Sequence, residues 1–309
     1  MASATKIRWK IDTALSTLHL AHSVAVGLPC TDEKIEAALV PYVTEVNNRL
    51  LSALVDVPVF WEQLVHESLC TDGLPNACEK ALANSGCNEL QVDSTSRGVL
   101  RQLDECRIAV ARRFPRLEDQ LLLRAQPLKE RWDTVGVGLL NLIGKTIWND
   151  TTPTSWWPAR VDGLFVQPIR GGDGGFHSEH STIWIEAMLT DVEPMVPEVL
   201  RAAWLVTRVA IEQHVMKKSG TSPISTTPTK PSDLLPAWKF ASVAITMHAG
   251  SQLDLTRPNP LAINDAIRIW GLSDDISLGE SVAKWWDEFL AAPVPLPIAL
   301  KALAKQIAF

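Results

Sequence analysis

Near the middle of the chain, Gly171-Gly172-Asp173-Gly174-Gly175-Phe176-His177-Ser178-Glu179-His180 joins four glycines to two imidazoles and a carboxylate. Glycine opens backbone conformations closed to other residues. Histidine and glutamate are the side chains that most often hold a divalent metal or move a proton. In an extended segment His177 and Glu179 share a face, whereas in a helix His177 and His180 do. Either pair supplies two ligands, so a metal-dependent hydrolase built on His177, Glu179 and His180 needs a distant third. Glu186, Asp191, His214 and the N-terminal pair His19 and His22 are the candidates.

The glycines do not spell a phosphate loop. The Walker pattern ends in G-K-[ST] and the Rossmann fingerprint runs G-x-G-x-x-G into a helix, and neither occurs here. Gly171, Gly172, Asp173, Gly174 and Gly175 instead read as the long tip of a β-pair, solvated and flexible at the surface. With the nearby Trp156 and Trp157 they form a candidate ligand-binding surface, because tryptophan stacks on planar ligands and also fills cores. No G-x-S-x-G nucleophile elbow is present. The cysteines at 30, 70, 78, 87 and 106 are odd in number and lack C-x-x-C spacing, which points to free thiols in a reducing compartment. Cys70, Cys78 and Cys87 are spaced too widely for a usual structural zinc site.

These residues need a scaffold, and the composition supplies one. The chain has 309 residues, 46% hydrophobic and 21% charged, with a net charge of -6. That length and balance suit a globular protein, and the negative charge argues against nucleic acid or anionic membrane as partner. No apolar run reaches the ~18 residues of a membrane span, and the apolar N-terminal stretch is broken by Asp12, His19 and His22, so a cytoplasmic location is expected. The basic residues between Arg97 and Arg131 alternate with acids and read as a solvated helix face.

Periodicity predicts a mainly α (α+β) protein: roughly ten helices and one small β-hairpin or small sheet near 162–190. Helices are expected over 5–26, 31–55 with a break or kink at Pro41, 58–69, 96–113, 116–125 and 127–145. Further ones follow at 197–217, 234–250, 261–271, 277–291 and 296–307. Residues 70–96 read as polar and turn-rich, with one short helix near 77–83. The two β runs, 164–169 and 183–189, flank the glycine segment. A single domain over 1–309 is expected, divisible into a helical part at 1–126 and a remainder at 127–309, with a mobile linker at 219–233.

The pieces RWDTVGVGLLNLIGKT, the glycine-rich loop with HSTIWIEAMLTD, and PEVLRAAWLV resemble a family of uncharacterised bacterial proteins typical of planctomycete-type genomes. The resemblance spans Arg131 to Leu205 and transfers no functional residue. The order helix, strand, edge strand, helix in this region also resembles the core of zincin metalloproteases. There the following helix carries H-E-x-x-H, but residues 197–206 here have no histidine, so the resemblance implies a scaffold without that zinc motif. The leading expectation is a non-catalytic module that binds a protein or small ligand, without cofactor. A metal-dependent hydrolase using a divalent ion, or a degenerate zincin-like scaffold, is the alternative.

Overall fold

The strict alternation Lys6-Ile7-Arg8-Trp9-Lys10-Ile11 makes a strand, not the start of a helix: the charged residues are exposed, and Ile7, Trp9 and Ile11 are half-buried. This corrects the expectation of a helix over 5–26, since β1 (Lys6–Ile11) precedes α1 (Thr13–Ala25). Asp12 separates them, its carboxylate accepting from the Leu15 N–H at 2.8 Å as an N-cap. The computed structural model describes residues 5–149, 151–219, 231–257 and 260–307. Most of the linker expected at 219–233 therefore lies outside the described residues.

Five helices follow: α2 (Glu33–Ser52), α3 (Val57–Ser68), α4 (Leu74–Asn84), α5 (Glu89–Arg113) and α6 (Leu117–Trp148). The segment 70–96, expected to be turn-rich, holds all of α4 and the first turns of α5. Neither proline breaks its helix. Pro41 lies inside α2 and Pro127 inside α6, both exposed. The residues four positions earlier, Ala37 and Leu123, are exposed too. The carbonyl that each proline leaves unpaired can thus be hydrated. After the sheet come α7 (Glu198–Ser219), α8 (Leu235–Gln252), α9 (Pro260–Ile269), α10 (Ile276–Ala291) and α11 (Leu296–Ile307). The described residues thus form eleven α-helices and one small sheet, a mainly α protein.

The sheet adds β2 (Arg160–Val166), β3 (Gly174–His177) and β4 (Thr182–Glu186), in the order β1-β2-β4-β3. It is a sheet and not a hairpin. β2 runs parallel to both β1 and β4, and only β3 is antiparallel, against β4. The expected tip of a β-pair is therefore partly a strand in its own right, placed at the edge. Every residue of β4 is buried, as expected of a parallel strand covered on both faces. The half-buried and buried apolar side chains of β1, β2 and β4 join the helices in one hydrophobic cluster. Within it α1 packs on β2, and α7 packs on β3 and β4. No helix among the described residues is long and apolar enough to cross a membrane.

Candidate functional site

The glycine segment is organised around a carboxylate from its own sheet. Glu186, at the end of β4, is completely buried. Its Oε1 accepts from the Ile169 and Arg170 backbone N–H groups at 2.8 and 2.9 Å, and its Oε2 from Gly172 N–H at 2.6 Å. His19 of α1 lies 2.8 Å from Oε1 through Nε2, which must carry the proton to bond a carboxylate. Gly171 and Gly172 turn the backbone inward with φ of +80° and +110°, and a run of inward amides is the arrangement that binds anions. Here the anion is internal. Burial alone would raise the Glu186 pKa, but the His19 bond and the amides outweigh it and hold the carboxyl below its usual range.

The rest of the segment is packed by close approach. A Cβ on Gly174 would lie 2.9 Å from the Trp184 carbonyl oxygen, and one on Gly175 would lie 2.6 Å from the Trp184 indole nitrogen. Asp173 pairs with Arg170 at 3.0 Å and caps the Gly174 N–H at 2.8 Å. His22, one turn beyond His19, is lowered to about 4, by burial first and then by His19. The pair His19–Glu186 has the composition of an acid–base couple, yet both side chains are sealed from solvent at 2% and 0% exposure. No substrate atom can reach them.

The two histidines that follow lie elsewhere. β3 ends at His177, and the turn to β4 is held by Gln213 of α7, whose Nε2 donates to the Ser178 carbonyl at 2.6 Å and to Ser181 Oγ at 2.8 Å. His177 Nδ1 and His180 Nδ1 are 3.4 Å apart. Cys70, just past the end of α3, joins them: one ligand atom from each of Cys70, His177 and His180 lies within 4.8 Å of the others. His66 stacks on the His177 ring with centroids 4.0 Å apart. Burial, then the neighbouring His66 and His180, hold His177 down to about 4, so it is neutral at pH 7.

Glu179 is exposed and outside this cluster. The other residues weighed as third ligands are placed elsewhere. Glu186 and His19 are bonded to each other, and Asp191 caps the Glu198 N–H at 2.8 Å. His214 packs edge-on against Trp148 and Trp156, with centroids 5.2 and 5.3 Å away. Cys70 is the participant that sequence reasoning missed. It is separated by more than a hundred residues from the histidines, and only its position one helical turn after His66 hints at a shared surface.

A third feature lies at the C-terminal end of α6. Trp156 is buried beside Trp148 and Trp157. With His214, Trp238, Phe289 and Leu300, Trp148 and Trp156 wall a cleft of about 720 Å³. The segment Pro293-Val294-Pro295-Leu296-Pro297 and the exposed Lys301 also line it. The indole N–H groups of Trp148 and Trp156 are buried and have no acceptor among the described residues. Trp156 and Trp157 thus belong to a different place from the glycine segment.

Helix α7 begins with a buried ion pair, Glu198 to Arg201 at 2.9 Å. Arg201 also donates to the Ile269 carbonyl at 3.4 Å, tying α7 to the end of α9. No family model matches the chain, and no curated protein or solved structure matches it.

Proposed function

We propose that this chain is a non-catalytic binding protein whose ligand is a small, largely apolar molecule with an anionic end, held in the aromatic cleft. The observation that carries the reading is the cleft itself: about 720 Å³, with tryptophan, phenylalanine and leucine walls. That volume falls within the roughly 300–1,000 Å³ of small-molecule sites, which pair apolar walls with a few polar groups. Lys301 at the rim offers the counter-charge to an anionic end. The sealing of His19 and Glu186 supports the non-catalytic part, since the acid–base couple in the glycine segment has no access to a substrate. Five free thiols, Cys78 and Cys106 among them buried, support a reducing, cytoplasmic setting.

Anilinonaphthalene sulfonate, an aromatic body with one sulfonate, is a suitable first probe. Titration monitored by energy transfer from tryptophan should saturate at one site. Lys301→Glu should weaken binding about tenfold, equivalent to about 1.4 kcal/mol, while Lys305→Glu on the same helix should leave it unchanged. Non-saturating binding, or equal affinities for the two variants, would remove the cleft as the site.

A further inference from the structure

Cys70, His177 and His180 are neither part of the aromatic cleft nor explained by packing. We propose that they form a metal site of the zinc class, joining the end of α3 to the β3–β4 turn, with Cys70 Sγ and one imidazole nitrogen from each histidine as ligands. The donor set is chemically selective. One thiolate and two imidazoles suit zinc and related borderline or soft ions, and do not suit the oxygen-seeking calcium or magnesium.

The geometry fits that class. On a tetrahedral ion with Zn–N bonds of about 2.05 Å, two nitrogens are about 3.3 Å apart. His177 Nδ1 and His180 Nδ1 are 3.4 Å apart. The matching sulfur–nitrogen separation is about 3.6 Å, and the three ligand atoms already lie within 4.8 Å of one another. Small side-chain rotations close the remaining gap. The competing contacts are weak. Among the described residues Cys70 Sγ makes only long contacts of 3.4–3.8 Å to His66, Glu67 and Thr71, and the His180 N–H reaches His177 Nδ1 at 3.4 Å.

The surroundings hold the ligands in place without the ion. Gln213 fixes the turn through two hydrogen bonds. His177 is at the end of β3, paired with Thr182 of β4, and His66 covers its ring. Cys70 is half-buried and His180 exposed, so an ion can enter from solvent. Binding converts the Cys70 thiol to a thiolate and releases its proton to solvent, with no change in oxidation state. Three protein ligands leave a fourth position for water.

Cobalt(II) is the probe, because a cysteine ligand adds a thiolate-to-cobalt charge-transfer band in the near ultraviolet. The reduced full-length protein should bind one equivalent with that band, and one equivalent of zinc(II) should displace it. Cys70→Ser should abolish the band, and His180→Ala should weaken cobalt binding at least tenfold. His180 is exposed, so that variant keeps its fold, which circular dichroism verifies. Glu179→Gln should bind as the parent does. The proposal is overturned if the parent binds no stoichiometric metal, if the band survives in Cys70→Ser, or if His180→Ala binds as tightly as the parent.

Discussion

Replacing Glu186 by glutamine tests whether the glycine segment is built around that carboxylate. The substitution keeps the shape and removes the charge. Oε1 accepts from two backbone amides and His19, whereas Oε2 accepts from Gly172 alone. The glutamine oxygen will therefore take the Oε1 place, which turns its NH₂ group toward the Gly172 N–H, 2.6 Å from where Oε2 had been. Two donors then face each other in a site with no water access, and the bonds at Oε1 lose their charge assistance. A buried unsatisfied donor costs about 1–3 kcal/mol, and a hydrogen bond to a charged group is worth about 1.5–3 against about 1 for a neutral one. The expected destabilisation is about 3 kcal/mol by denaturant unfolding, with an unchanged slope against denaturant. Hydrogen exchange should localise the effect: the amides of Ile169, Arg170 and Gly172 should lose protection in Glu186→Gln while those of α5 keep theirs. A loss under 1 kcal/mol, or unchanged protection at 169–172, would refute the reasoning.

Gly174→Ala should cost about 1–3 kcal/mol, because its Cβ meets the Trp184 carbonyl, a backbone atom of the paired strand, at 2.9 Å; thermal unfolding reads this as a lower Tm. Acid should destabilise the fold through His22. Its folded pKa, about 4, is below that of an unfolded imidazole, so the unfolded chain binds more protons between the two values and stability falls as pH drops through that window. Between pH 7 and pH 5 the loss from this group should be about 1–2 kcal/mol, and His22→Gln should flatten the pH dependence of the denaturant midpoint by that amount. A variant with the parent's pH slope would show that His22 is not held neutral by burial.

Helix content was legible because long amphipathic segments announce themselves, and each of the eleven helices of the described residues overlaps a segment where one is expected, α6 spanning two of them. β1 was not, although KIRWKI alternates perfectly. Six residues of strand pattern run into a thirteen-residue helix through Asp12, and the apolar positions of both fit one helical stripe. The unbroken α2 and α6 show the limit of proline as a signal: exposure of Pro41 and Pro127 decides whether the freed carbonyl can be hydrated, and exposure is a tertiary property. Within the candidate site, the unusual backbone of Gly171 and Gly172 was legible, but its occupant was not. Glu186 reads in the sequence as a candidate metal ligand, because nothing local shows that its carboxylate is taken up by the 169–172 amides and by His19 of α1. The Cys70 cluster depends on α3 ending beside the β3–β4 turn, a contact between segments far apart in sequence.

Ligand occupancy of the aromatic cleft can be read from the tryptophans themselves. The chain has twelve, and 5-fluorotryptophan labelling gives each a fluorine resonance assignable by single Trp→Phe replacement. Saturation with anilinonaphthalene sulfonate should shift the resonances of Trp148, Trp156 and Trp238, which line the cleft. Trp9, stacked on Phe165, and Trp61, buried beside Phe60, should not move. Shifts at Trp9 or Trp61 with Trp148, Trp156 and Trp238 unmoved would contradict the assignment of the cleft as the binding site.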